Sequence, residues 1–510
     1  MLKNDQIRKR ILINSATMAV CRAGSAVFSL LLVPVVIAKL GVSGYGTWEL
    51  IFSAATICSM MQSAVVNTLL WQISNAYGVE DEDRVRRVLS IGITITLAQF
   101  IIIVPFVWFF RFDILNIFHV ANSSVDAFAL IMPLFCGIMI LNGVSECIGT
   151  IISGYQRAGV VTMVQSLAQV LNYSASIGFL LAGFGLRSMF IGYAINYLFV
   201  GILYYFIARR LCPHLRIFPA IITREEIKNL RSYFSLMMVG AFSGIFRDEK
   251  DRLILSAYYS PEWVGYYSIS LRLVGFITLM NNFFYVPILT AIGAINARGE
   301  WGQIRKIYAD TIVIISVVVG FMALIIAGLH ERILILWLGF NISEVGSIVL
   351  WLVFGSVTAI LLTSPGTAIC KGIGRMGMEA SYWTLGIFFN LIFTLVFVPY
   401  FGPLGAIAAS SLSWMISSIF FLYFFHKNMD ISWRLSFQSV KGLVVIGLGI
   451  LFAQYLSDSW SSELVGLYGF LNLSALIAIL FVGYISLLMG AKIVPVGFLN
   501  YLLIFKRKNR

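Results

Sequence analysis

Charge is scarce in this sequence. Asp, Glu, Lys and Arg make up 12% of its 510 residues, about half the roughly 25% of soluble domains. With 59% hydrophobic residues, a soluble chain would need a core larger than single domains build, so the class is integral membrane protein. The apolar runs do not alternate, and at 18–27 residues they suit spanning helices rather than barrel strands. Cysteine and histidine are also few. Cys21, Cys58, Cys136, Cys147 and Cys370 lie in apolar runs and Cys212 in a basic loop, which excludes a disulfide framework. His119, His214, His330 and His426 are far apart, and Cys212-Pro213-His214 is too small to bind metal alone, so neither metal nor cofactor is expected. No stretch is Pro-rich, Ser-rich or low in complexity, and no loop is large enough for a soluble domain.

What is present is a series of apolar runs bounded by charge, Gly, Pro or Asn. They predict fourteen spans, near 11–38, 46–70, 88–110, 125–152, 160–182, 187–208, 232–257, 263–288, 308–329, 344–370, 380–400, 404–425, 436–457 and 467–490. The basic start followed by an apolar run resembles a signal peptide. The run is too long, however, and Asn14, Ser15 and Arg22 interrupt it, so a retained first helix is expected. The formal charge of +13 is not spread as in nucleic-acid binders but falls in short segments between runs. With the amino terminus cytoplasmic, inside segments hold 27 of the 36 basic residues and outside segments hold only Lys39, Arg111, Arg187 and Arg332. Cytoplasmic loops carry such an excess, so both termini are expected inside.

An internal repeat organises the spans. Gly154-Tyr155-Gln156-Arg157-Ala158-Gly159 recurs as Gly372-Ile373-Gly374-Arg375-Met376-Gly377 at an offset of 218. Asn172 recurs as Asn390 at 218, Phe184-Gly185 as Phe401-Gly402 at 217, and Tyr45-Gly46-Thr47-Trp48 faces Val264-Gly265-Tyr266-Tyr267 at 219. The expected architecture is all-α and polytopic, with two parallel six-helix lobes plus two carboxy-terminal helices. The lobes would occupy 1–210 and 232–428, joined by a basic cytoplasmic linker at 211–231, with 429–510 appended. Parallel repeats of this kind form transporters that rock one lobe against the other. Gly372-x-Gly374-x-x-Gly377 matches a dinucleotide fingerprint but follows a spanning helix rather than a strand, which leaves a tight turn. Arg157 and Arg375 in these turns read as positive-inside anchors or as lipid-headgroup contacts.

Charge inside spans is costly and marks function. Arg247-Asp248-Glu249-Lys250-Asp251-Arg252 follows the uncharged run Tyr233–Phe246, too short to span alone, so the cluster is expected within the seventh helix; the alternative is a periplasmic loop. Helical spacing would pair Arg247 with Asp251 and Asp248 with Arg252. Arg22 on the first helix forms one polar stripe with Ser25 and Ser29, and Arg272 lies on the eighth. These eight charged residues sum to +2, and a cavity with surplus positive charge would take an anion; snorkelling is the alternative for Arg22 and Arg272. Glu146 and Glu49 are candidates for ion coupling or, alternatively, satisfied structural acids.

Arg22, Pro34 and Leu40-Gly41-Val42-Ser43-Gly44-Tyr45-Gly46-Thr47-Trp48-Glu49-Leu50, with Asp251 and Ser260-Pro261-Glu262-Trp263-Val264-Gly265-Tyr266-Tyr267, carry a resemblance. The chain resembles the polysaccharide flippases, above all the Wzx-type O-antigen flippases, of the multidrug/oligosaccharidyl-lipid/polysaccharide exporter superfamily. The resemblance implies translocation of an undecaprenyl-diphosphate-linked oligosaccharide from the cytoplasmic to the periplasmic leaflet of the inner membrane. It implies Arg22 and Arg272 as contacts of the diphosphate, and polysaccharide polymerase and chain-length machinery as neighbours. Neither Glu146 nor Glu49 matches a coupling residue of the family. Two rivals are a multidrug exporter of the same superfamily, for which a basic cavity suits organic cations poorly, and a membrane polymerase or ligase. The external linkers are too short for the active-site loop of such an enzyme and supply no nucleophile with base and orienter.

Overall fold

The computed structural model describes residues 4–78, 81–119, 125–155, 157–213, 224–296, 300–375, 377–429, 431–459 and 466–494. Among them the regular structure is helical: α1 Asn4–Cys58, α2 Met60–Gly78, α3 Glu82–Phe109, α4 Arg111–Ile117, α5 Val125–Gly154, α6 Ala158–Leu181, α7 Arg187–Leu211, α8 Arg224–Tyr258, α9 Pro261–Asn296, α10 Trp301–Gly328, α11 His330–Leu338, α12 Ser343–Gly372, α13 Gly377–Met429, α14 Trp433–Ser459 and α15 Gly466–Gly490. Ten described helices are long and apolar enough to cross a membrane. All fourteen expected spans fall on helices, because two helices each hold a break. α1 breaks at Gly41 (φ 70°) and α13 at Gly402 (φ 65°), left-handed positions where a side chain would be strained. Two details differ from expectation. The second span is not one helix but passes from α1 to α2 at Ser59, and the linkers after α3 and α10 hold the short helices α4 and α11.

The repeat is visible in the helix ends. α3 and α10 begin 219 residues apart and end 219 apart, and α5 and α12 begin and end 218 apart. Gly185, between α6 and α7, has φ 58°, matching Gly402 in α13. Core positions repeat as well. Ile73, Leu89, Ile151 and Val164 are buried in one cluster, and Ile292, Tyr308, Ile369 and Tyr382, at the same offsets, are buried in another. The repeated asparagines are both buried but bond differently: Asn172 accepts within α6 from Ser176 Oγ at 3.2 Å, and Asn390 Nδ2 donates across the Gly402 break to Ser410 Oγ at 2.9 Å.

The chain divides into two compact units, Met1–Ser268 and Ile269–Arg510. This division falls inside α9, whereas the sequence pattern alone places the lobe boundary at 211–231. The reason is that α8 and the start of α9 pack on α1 and α2. In the second unit the appended helices are tied down by polar groups. Tyr484 Oη donates to the Ser316 carbonyl at 2.6 Å, joining α15 to α10. Arg332 of α11, buried, donates from Nε to Ser457 Oγ of α14 at 2.8 Å and from Nη2 to the Ser457 carbonyl.

Candidate functional site

The second half of α1 carries two stripes at i,i+4 spacing, which puts each on one face of the helix. Trp48 and Phe52 turn toward α5 and α7, with ring centroids 4.9 Å from Trp48 to Phe135 and 5.6 Å from Phe52 to Tyr193. That packing aims Glu49 and Ser53 toward α8. The approach of α9 is set by glycine. A Cβ on Gly46 would lie 1.7 Å from the Pro261 carbonyl oxygen, and one on Gly265 would lie 2.6 Å from that of Val42. Backbone thus rests on backbone where α1 crosses α9.

The acidic and basic run of α8 meets this face. Residues 247–252 lie inside α8, which continues to Tyr258, so the loop alternative is excluded. Glu249, Lys250 and Asp251 are buried. The Arg252 guanidinium donates from Nη1 to Glu249 Oε2 at 2.5 Å, from Nε to Ser268 Oγ at 3.1 Å, and lies 3.4 Å from Glu49 Oε2 through Nη2. It therefore joins α1, α8 and α9. Ser53 Oγ donates to Glu249 Oε2 at 2.6 Å. Asp251 accepts from Lys250 Nζ at 2.6 Å and from Tyr267 Oη at 3.0 Å.

Carboxylates and hydroxyls from α1 and α9 reach the cluster; the expected i,i+4 pairs, Arg247 with Asp251 and Asp248 with Arg252, each include a side chain that lies outside the described residues. The side chains of Arg247 and Asp248 lie outside the described residues, as does that of Arg22. Glu49, Glu249, Lys250, Asp251 and Arg252 sum to −1, so Lys250 and Arg252 add no surplus of positive charge. The surplus expected of the wider group rests on Arg22, Arg247 and Arg272.

The remaining candidates lie elsewhere. Ser25 Oγ donates to the Cys21 carbonyl at 3.1 Å and Ser29 Oγ to that of Ala26 at 2.7 Å, so both hydroxyl protons are held by α1 itself. Arg272 is a half-buried residue of α9 in the second unit. Glu146, on α5, accepts from Gln165 Nε2 of α6 at 3.4 Å. Sequence reasoning missed Ser53 and Ser268. The signal for Ser268 was available, since the 219-residue register sets it on Glu49, and both touch Arg252.

Residues 18–177 match the MatE family model. Among curated proteins, the chain is 23% identical over 255 residues to an uncharacterised membrane protein of Methanocaldococcus jannaschii, covering 48% of each chain. It is 18% identical over 233 residues to the probable low-salt glycan biosynthesis flippase Agl15 of Haloferax volcanii, covering 44% of this chain and 49% of that one. The chain thus spans about half the length of these curated relatives. Among solved structures, the lipid II flippase MurJ in an inward closed conformation aligns with TM-score 0.69 at 16% identity, over 94% of this chain and 99% of that one. An inward-facing multidrug resistance MATE family transporter aligns with TM-score 0.65 at 15% identity, over 80% and 94%. The Vibrio cholerae MATE transporter VcmN aligns with TM-score 0.59 at 13% identity, over 85% and 99%. The structures it resembles are thus transporters and a flippase. The chain is a multi-pass membrane protein with the fold shared by MATE transporters and MurJ, and its first third carries the MatE match.

Proposed function

We propose that the protein is a flippase that carries a diphosphate-linked oligosaccharide on a polyprenyl lipid from the cytoplasmic to the outer leaflet of the inner membrane, by alternating access through a net-positive cavity. The observation that carries this reading is how far along the chain the fold likeness reaches. The multidrug transporter covers 80% of the chain and leaves about 102 residues unmatched, enough to omit α14 and α15 entirely. The lipid II flippase covers 94% and leaves about 31, fewer than the 58 residues of 433–490. Part of the appended pair is therefore matched in a protein whose cargo is a lipid. The likeness to a probable glycan biosynthesis flippase supports the same class.

The physics agrees. A charged, hydroxylated headgroup cannot cross hydrocarbon unaided. Moving about two negative charges outward against an inside-negative potential is downhill by about 4–5 kcal/mol per 100 mV. Arg22 and Arg272 are the residues proposed to face the diphosphate, with Arg247 contributing charge. Lys250, Asp251, Arg252 and Glu49 act in this reading as the polar joint that holds α1, α8 and α9 together. A cytoplasmic amino terminus and work beside polymerase and chain-length machinery belong to the same proposal.

Drug export is the second reading, favoured by the MatE match and the multidrug transporter structures. Deleting the gene separates the two. Lipid-linked oligosaccharide should accumulate on the cytoplasmic leaflet and surface polymer should disappear, with drug susceptibility unchanged. Lost drug resistance with intact surface polymer would favour export instead.

A further inference from the structure

The break at Gly402 folds α13 into two arms, and near the start of the first and the end of the second lies a cleft of about 390 Å³. Leu385, Phe421 and Phe424 form its apolar wall, and Arg375, Ser381 and Asn428 its polar part. From Gly377 to Leu385 the first arm rises about 12 Å at roughly 1.5 Å per residue, so the cleft runs along the helix for part of a lipid chain. The surface around it is apolar and outward-facing: Phe424, Phe420 and Phe388 are all exposed.

The mouth is basic. Lys371, the other cation of the preceding turn, is held by Glu379 at 2.9 Å, and Glu379 also accepts from Trp383 Nε1 at 3.3 Å. Arg375 is exposed, and among the described residues its guanidinium bonds to no carboxylate; its Nη1 lies 3.9 Å from Met429 Sδ. Ser381 and Asn428 direct their own protons to backbone carbonyls, at 3.0 and 2.9 Å. A guanidinium that meets no carboxylate among the described residues, at one end of an apolar slot in a bilayer-facing wall, matches a phosphate attached to an acyl chain. In hydrocarbon such a slot is filled by lipid, since no water is there to fill it.

We infer that this cleft is a binding site for an anionic glycerophospholipid, with the phosphate on Arg375 and one acyl chain between the arms of α13. The charge selects the headgroup and the apolar walls exclude free phosphate. The cleft's lining includes none of Arg22, Arg247 and Arg272, the residues proposed for the diphosphate.

Native mass spectrometry of the full-length protein, released from nanodiscs containing equal phosphatidylglycerol and phosphatidylcholine, tests it. Phosphatidylglycerol should be retained in preference by about fivefold, the value of one basic residue at an anionic surface. Arg375→Ala should abolish that preference, and Leu385→Trp, which fills the slot, should remove the bound lipid altogether. Arg157→Ala, in the equivalent turn of the other repeat copy, should leave binding unchanged. Equal retention of the two lipids, or a preference that survives both Arg375→Ala and Leu385→Trp, would overturn the inference. A protein that fails to flip oligosaccharide yet keeps the Arg375-dependent lipid would leave it standing and refute only the proposed function.

Discussion

Replacing Arg252 by methionine removes the cation that, among the described residues, faces both Glu49 and Glu249. The side chains of these acids are only 5% and 10% exposed, and that of Arg252 is 13% exposed. Methionine fills similar volume but leaves two carboxylates with Ser53 Oγ as the remaining described donor to Glu249. Breaking a buried ion pair by removing one partner costs about 3–5 kcal/mol, because the surviving charge is uncompensated. At roughly 2 °C per kcal/mol for a unit of this size, the unfolding midpoint should fall by about 6–10 °C. Fluorescence-detected size-exclusion chromatography of heated detergent extracts would measure it, with membrane abundance as a second readout. The informative control is Glu49→Gln and Glu249→Gln added to Arg252→Met. With all three charges of this group removed together, most of the loss should be recovered, since replacing whole buried ion pairs by neutral groups is often close to neutral. An unshifted midpoint for Arg252→Met, or a triple variant no better than the single, would refute the idea that this ion group holds α1, α8 and α9 together.

Asp251→Asn should also lower abundance, because it leaves the buried Lys250 ammonium beside a neutral amide; quantitative immunoblotting of membranes checks it. Gly46→Ala places a methyl 1.7 Å from a backbone oxygen, and overpacking of about 1–3 kcal/mol or more should follow, read as a lower melting midpoint. Arg22→Ala and Arg272→Ala should each severely reduce surface polymer at normal protein levels, while the lysine variants keep part of it, as charge survives without the planar fork. Reporter fusions at Arg111 and Asp458 should read periplasmic and those at Arg157, Arg224 and Arg375 cytoplasmic; a reversed pattern would remove the stated direction of transport.

The span count and the repeat register were legible because both depend on local pattern. A run of apolar residues fixes a helix whatever it packs against, and the repeated Gly185 and Gly402 mark chain breaks through their own backbone requirement. The partners that Arg252 finds on other helices were not legible. An i,i+4 rule sees one helix, whereas Arg252 is satisfied from Glu49, some two hundred residues earlier, and from Ser268. The kink at Ser59 and the short helices α4 and α11 were missed for a different reason. They interrupt or extend apolar segments without any run of Gly, Pro or charge long enough to announce them.

Gly46 and Gly265 occupy the same position in the two copies of the repeat, and they meet each other. A position that touches its own counterpart is the mark of an isologous contact, the kind formed across the two-fold axis of a homodimer. The seam between α1 and α9 therefore joins equivalent points of the two repeat copies at one residue. Close approach there requires a residue with no side chain on both helices at once. A substitution on either side is felt by the other, because each glycine guards the space of its counterpart.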